Sequence, residues 1–455
     1  LMHTHEQRFP NGMKPIADYV HGLGMKAGLY TDAGNSTCGS MWDNDAAGVG
    51  AGIYGHEPQD AQLYFGDWGF DFIKIDYCGG DVLGLNEKER YTSIRNSIDK
   101  VNKDVSINIC RWAFPGTWAK DAATSWRISG DINAHWGSLR YVVGKNLYLS
   151  AYAGNGHYND MDMMVIGFRN DSKVGGQGLT PTEEEAHFGL WCIMSSPLLI
   201  GCNLENMPDS SLKLLTNKEL IALNQDPLGL QAYVAQHENE GYVLVKDIEQ
   251  KRGNVRAVAL YNPSDTICSF SVPFSSLEFG GNVKVRDLVK HSDLGNFSGT
   301  FEQTLPAHSA MFLRIEGETR LEPTLYEAEW AYLPLFNDLG KNPKGIIYAH
   351  DKEASGKMKV GFLGGQPENY AEWREVYSEN GGRYDMTIHY LYGKGRQIEL
   401  DVNGIITKID SLGKDNGHNQ ITVPVELKAG YNTIRMGNSY NWAPDIDCFT
   451  LTKAL

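Results

Sequence analysis

Through its first 226 or so residues the chain alternates helical and strand patterns, and this alternation limits the fold more than any other feature. Apolar residues at Met13, Ile16, Ala17, Val20 and Leu23 repeat with a helical period. The run 26–30 then reads as a short buried strand that opens into a polar stretch, 31–37. The same reading predicts helices over 61–68, 88–101 and 183–194, the last capped by Thr182, and strands over 70–76 and 105–110. Weaker strands are predicted near 126–129 and 156–164, and a last one over 197–204. Six strand-then-helix units imply a parallel sheet with helices outside it. Polar, chemistry-bearing residues follow at least five of the strands. That favours a (β/α)8 barrel, whose active face lies at the C-terminal strand ends, over a doubly wound sheet with a single switch point. Six units do not close such a barrel. Leu1 opens in what reads as mid-loop, so the first two strands are expected to precede it, together with a signal peptide.

After Asn224-Gln-Asp-Pro-Leu-Gly229 the periodicity changes to two. Strands are predicted over 241–246, 255–261, 268–272, 283–288 and 310–315, with turns every 8 to 12 residues, as in an antiparallel all-β domain. The polar stretch 316–323 reads as a linker, and a second all-β unit follows, with strands near 384–392, 397–402, 420–427 and 431–438. The expected domains are therefore a barrel at 1–228 lacking its first two strands, an antiparallel β-sandwich at 229–318, and a jelly-roll β-sandwich at 323–455. A composition of 42% hydrophobic and 21% charged residues suits a folded chain, and a net charge of −15 argues against a nucleic-acid binder. No run of 18 apolar residues offers a transmembrane helix, and seven cysteines leave room for one or two bridges only.

Carboxylates gather at the strand ends. Asp76 closes a strand that is apolar but for Lys74, two residues earlier and on the same side. An adjacent ammonium keeps a carboxylate ionised, as a nucleophile requires. The same pair could equally be a structural ion pair. Asp131 ends Ser125-Trp-Arg-Ile-Ser-Gly-Asp131, with Arg127 four residues before it; Asp32, Asp160 and Asp162 stand at other strand ends. Histidines are sparse around them, unlike in a metal hydrolase. Paired carboxylates with the aromatics Tyr30, Trp112 and Trp126 point instead to glycoside hydrolysis. Cys38 and Cys78 follow adjacent strands, which leaves open a bridge or two free thiols.

Specific motifs then accumulate: Arg8-Phe-Pro-Asn-Gly-Met-Lys14, Gly34-Asn-Ser-Thr-Cys38, Asp67-Trp-Gly69, Lys74-Ile-Asp-Tyr-Cys78, Gly130-Asp-Ile132 and Asn159-Asp-Met-Asp-Met163. In order and content they resemble glycoside hydrolase family 27, the α-galactosidase and α-N-acetylgalactosaminidase family, from residue 7 to about 315. The resemblance implies that Asp76 is the nucleophile and Asp131 the general acid/base of a retaining reaction, in which the two carboxyls stand about 5–5.5 Å apart. It implies that Tyr30, Cys38, Lys74, Cys110, Trp112, Arg127, Asp162 and Met163 line the sugar pocket, and that Cys38 and Cys78 form a disulfide beside it. No cofactor is implied for catalysis.

The chain also departs from the family. The α-galactosidases compared have Glu where Arg111 stands; the N-acetylgalactosaminidases have small residues there and at the place of Phe114. Phe114 would crowd a 2-acetamido group, which favours a 2-hydroxyl sugar. The expected activity is release of terminal α-linked galactose from oligo- or polysaccharides, with β-L-arabinopyranosidase and isomalto-dextranase as rivals within the family. A non-catalytic carbohydrate-binding protein is the rival from another class. Segments such as Tyr326-Glu-Ala-Glu329 and Ile446-Asp447 resemble carbohydrate-binding modules of families 6 and 35. That likeness implies a structural calcium held by Glu327, Glu329 and Asp447, with Trp373, Tyr440 and Trp442 as sugar-stacking candidates. The expected partner is a carbohydrate, with no nucleic acid or membrane, and the expected location is secreted or periplasmic.

Overall fold

The computed structural model describes residues 4–168, 178–340, 345–410, 412–413 and 415–454. They fall into two compact units. The first takes residues 1–131, 156–160 and 337–339, and the second takes 132–155, 161–336 and 340–455.

In the first unit, β1 (Gly28–Asp32), β2 (Phe72–Asp76), β3 (Ser106–Cys110), β4 (Ser125–Arg127) and β5 (Tyr158–Asp160) form one parallel sheet in chain order, a partial (β/α)8 barrel. Ile73, Ile75, Ile107 and Ile109 are buried on one face and Asp76, Asn108 and Cys110 on the other, as strands covered on both faces require. Helices lie between the strands. The longest here, Glu87–Asp99, begins where the Asn86 side chain accepts the Glu89 N–H at 3.1 Å. The helix expected over 61–68 is instead a short α-helix, Glu57–Ala61, running into a π-helical turn, Gln62–Asp67.

Pairing register sets up the site. Tyr30 lies opposite Lys74, and Lys74 opposite Asn108. Two residues on, Asp32 lies opposite Asp76, and Asp76 opposite Cys110. Because side chains alternate along a strand, both rows face the same side.

In the second unit, the strand expected over 197–204 is reduced to a single parallel bridge between Met164 and Ile200. The helix Pro181–Ile193 starts at Thr180, not Thr182: Pro181 takes the first turn, and Thr180 and Glu183 cap each other reciprocally. Eight antiparallel strands follow: β6 (Tyr233–Glu238), β7 (Gly241–Asp247), β8 (Val255–Asn262), β9 (Cys268–Pro273), β10 (Phe279–Asp287), β11 (Ser292–Ser298), β12 (Thr300–Leu305) and β13 (Ser309–Arg320). Six form a sheet in the order β11-β10-β13-β8-β7-β6, and β9 pairs with β12. Val245, Val258, Phe270, Phe279 and Phe301 pack in one core between them. The linker expected from residue 316 is overturned over its first part. β13 runs on to Arg320, paired with Phe279, because Glu316 and Glu318 face solvent while Gly317 is buried. Residues 325–453 form a further antiparallel β-sandwich of one six-stranded and one four-stranded sheet.

Candidate active site

Asp76 is the focus of the first unit. Its residue is 6% exposed, and its carboxylate is held from two sides. Lys74 Nζ lies 3.1 Å from Oδ1, and the Tyr30 hydroxyl donates to Oδ2 at 3.0 Å. Burial opposes the charge on Lys74 most strongly, but its negative neighbours together, Asp76 foremost, raise the ammonium's pKa. Burial and two neighbouring carboxylates push the Tyr30 phenol far up, so it stays a donor. One oxygen pair is thus fixed by a cation and a hydroxyl, and the carboxylate's orientation is set.

Asp32 stands beside it, fully buried. Its carboxylate accepts the backbone N–H of Cys38 at 3.2 Å and of Cys78 at 3.3 Å. Those two cysteines are disulfide-bonded, as the family resemblance implies. Cys38 Sγ lies 3.1 Å from Asp32 Oδ1 and 3.6 Å from Asp76 Oδ2; a bridged sulfur has no proton, so these are packing contacts. Burial chiefly, with the neighbouring Asp76 charge, raises the Asp32 carboxyl to about 6. The sequence reading placed Asp32 at a strand end without giving it a role. Its signal was the spacing to Cys38, which lets one carboxylate cap both ends of a bridge.

Arg127, on β4, is 2% exposed and donates to Asp131 Oδ1 at 3.0 Å and to the Ser129 carbonyl at 3.3 Å. The Asp131 side chain is 72% exposed, open to solvent and to an incoming molecule. Cys110 is buried within electrostatic reach of Asp76, Lys74 and Arg127, and desolvation pushes its thiol well up. Trp112 follows it with a left-handed backbone, φ 56°, a conformation costly for a bulky residue and met mostly at functional sites. Tyr30, Lys74, Asp76, Cys38, Cys78 and Cys110 are therefore brought together, and Arg127 and Asp131 form a pair.

Arg111 has a reading the sequence did not give. Its guanidinium binds Asp81 through both carboxylate oxygens, at 3.0 and 2.9 Å, lies 3.3 Å from Glu87, and sits over the Tyr77 ring at 4.7 Å. It ties the loop after β2 to the start of the next helix. Phe114 is buried. Asp160, grouped earlier with the site carboxylates, accepts from the Asn108 amide at 2.8 Å.

In the second unit, Asp162 has φ 78°. Its carboxylate accepts the N–H of Ile132 at 2.9 Å and of Met163 at 2.8 Å, while its carbonyl accepts from Trp191 Nε1 at 2.8 Å. Met163 packs on Gly201 so closely that a Cβ there would lie 2.4 Å from the sulfur.

Glu327, Glu329 and Asp447 are buried together in the C-terminal sandwich. Ser355 donates its hydroxyl to Glu327 at 2.5 Å and its N–H to Asp447 at 2.9 Å, while both Glu329 oxygens and the second Glu327 oxygen have no hydrogen-bond partner among the described residues. Desolvation chiefly raises Glu327 to about 7 and Asp447 to about 6 and pushes Glu329 well up, the charge of neighbouring carboxylates adding to each. Buried carboxylate oxygens lacking donors are what a hard, oxygen-seeking cation satisfies. Tyr440 is 79% exposed and Trp442 is also exposed, whereas Trp373 is core: its ring is buried and its Nε1 donates to the Glu327 carbonyl at 2.8 Å. The stacking role entertained for Trp373 is thereby removed.

A family model described as alpha galactosidase A matches residues 1–226, and one described as alpha galactosidase C-terminal beta sandwich domain matches 241–315. Alpha-galactosidase 3 of Arabidopsis thaliana is 37% identical over 67% of this chain and 66% of its own length. Alpha-galactosidase A of Cellvibrio japonicus is 34% identical over 68% of this chain and 77% of its own. Among solved structures, alpha-galactosidase I of Mortierella vinacea superposes with a TM-score of 0.60 at 26% identity, covering 70% of this chain and 83% of that one. A family 27 β-L-arabinopyranosidase of Geobacillus stearothermophilus gives 0.61 at 25% identity, covering 70% and 81%. The chain thus spans about two thirds of the length of its Arabidopsis relative. No helix among the described residues is long and apolar enough to cross a membrane.

Proposed function

This chain belongs to the alpha-galactosidase family, glycoside hydrolase family 27, and from that premise we propose that it is a retaining exo-glycosidase that releases terminal α-linked galactose from a carbohydrate. The observation that carries the reading is Asp76, a buried strand-end carboxylate clamped by Lys74 and Tyr30. In this reading Asp76 attacks the anomeric carbon while Asp131, exposed beside Arg127, protonates the departing oxygen. The glycosidic bond breaks with its electron pair going to that oxygen, and a sugar–Asp76 ester forms. Asp131 then takes a proton from water, which attacks the same carbon and frees Asp76. Tyr30 and Lys74 hold the nucleophile. Cys38, Cys110, Trp112, Arg127, Asp162 and Met163 are assigned to sugar contact.

Residues 1–228 would form the catalytic domain, 229–318 an accessory sandwich, and 323–455 a carbohydrate-binding module exported with the enzyme. Glu327, Glu329 and Asp447 would hold a calcium ion that neutralises their charges and stiffens the module; their unpartnered buried oxygens support this. The exposed Tyr440 and Trp442 would stack on sugar.

Turnover of an aryl α-galactoside tests the assignment, with Asp76→Asn as the control variant. Hydrolysis by the wild type and a loss of at least a thousandfold in the variant, at unchanged thermal stability, are expected. Substantial residual turnover in the variant would sink the role of Asp76. The likeness to the arabinopyranosidase makes the aryl β-L-arabinopyranoside the substrate to compare; faster cleavage of it would move the assignment there.

A further inference from the structure

A cavity of about 270 Å³ opens within the second unit, and none of the residues assigned to catalysis or to calcium lines it. Its walls come from the antiparallel domain and the C-terminal sandwich, with Ser150, Ala151 and Ala153 completing them. Two pairs of rings line it: Tyr233 against Trp330, with centroids 4.7 Å apart, and Tyr377 against Tyr431, 5.5 Å apart.

Its charges do not balance. Three guanidiniums, of Arg252, Arg256 and Arg320, converge on only two carboxylates, Glu278 and Asp247. Arg374 pairs with Glu372 and lies 3.5 Å over the Tyr332 ring. Cations exceed carboxylates in the first group, in a chain whose net charge is −15. Arg252, stacked 4.2 Å over Tyr377, also keeps a buried Nε that has no hydrogen-bond partner among the described residues.

We propose that this cavity binds a single acidic sugar, a pyranose ring carrying a carboxylate. A guanidinium's planar fork matches a carboxylate, and the excess of positive charge asks for one. The aromatic faces suit the C–H face of a sugar ring. The space equals roughly nine waters, the size of one ring and not of a chain. A neutral sugar would leave the excess charge uncompensated, and a small inorganic anion would leave the rings unused. The site is independent of the catalytic reading.

Isothermal titration of the full chain at low salt tests it, with sodium glucuronate, sodium galacturonate, galactose and sodium acetate as probes. At least one uronate should bind tenfold or more tighter than galactose and acetate, and its binding should weaken as salt is added. Arg252→Gln and Tyr431→Leu should each weaken it at least tenfold; the second leaves the ion pairs untouched, so a folding defect in the first does not blunt the test. Uronates that bind no tighter than acetate, or that bind both variants as they bind the wild type, overturn the proposal. An oligosaccharide ending in glucuronate completes the series. Tighter binding than the free sugar identifies a polysaccharide end as the ligand, equal binding identifies the free acid, and both sustain the site.

Discussion

Asp32 and Asp76 face each other in register on neighbouring parallel strands, two carboxylates with the Cys38 sulfur against both. Only Asp76 has a cation beside it; Asp32 has backbone N–H groups instead.

The pH dependence of stability should report Asp32. Its folded-state carboxyl is raised to about 6 by burial, so the folded state holds a proton that the unfolded chain, near 4, has released. That contribution is complete below about pH 4 and is lost as pH rises through about 6. Asp32→Asn cannot ionise, though it surrenders one of two N–H acceptors, at a cost of about 1 kcal/mol. Its melting temperature relative to wild type should therefore improve between pH 4.5 and pH 7.5. Scanning fluorimetry at both pH values checks this, and an unchanged difference would contradict it.

Removing the bridge is the second test. Cys38 and Cys78 lie 40 residues apart in sequence. Closing a loop of that length restricts the unfolded chain by about 4 kcal/mol on the chain-entropy model. The double serine variant should lose about 2–4 kcal/mol in urea unfolding. It should also lose turnover, since the sulfur packs on Asp76.

Arg111 offers a third. Replacing it with Glu would set three carboxylates together, with Asp81 and Glu87 losing their shared cation. The variant should be destabilised by about 1–3 kcal/mol, with no gain in galactoside turnover. Circular dichroism melts and a kcat/KM comparison decide it.

Calcium should stabilise the chain in a pH-dependent way. Glu327 and Asp447 keep their protons up to about 7 and about 6, and burial raises Glu329 as well. Without a cation, stability is lost as pH rises through these values, because ionising them in a buried site costs free energy. Added calcium should stabilise the chain more at pH 7.5 than at pH 5, by up to about 2–3 kcal/mol at a hundred times its Kd, read as a larger rise in melting temperature at the higher pH. Glu329→Gln should remove most of that gain.

The parallel sheet was legible because strand patterns such as 70–76 and 105–110 alternate with helical ones along the chain. So was the Asp76–Lys74 pair, since a spacing of two puts both on one side of a strand. The π-helical turn at Gln62–Asp67 was not, because its apolar period is that of an ordinary helix. β11 escaped notice for a related reason: Ser292–Ser298 is mostly exposed and shows almost no apolar alternation. The clamp around Arg111 depends on Asp81 and Glu87, which sequence leaves 30 and 24 residues away. Trp373 misled because an indole buried for packing and one displayed for stacking look alike in a string of letters.

Asp32, Asp76 and Cys110 occupy a single rung across three strands. Membership of that rung is a matter of parity. Gaining or losing one residue inside β2 would swing Asp76 to the opposite side of the sheet, with the helices, while leaving the strand's hydrogen bonds intact. Loops between the strands can therefore lengthen or shorten without touching the chemistry, but the count within each strand must keep its odd-or-even sense.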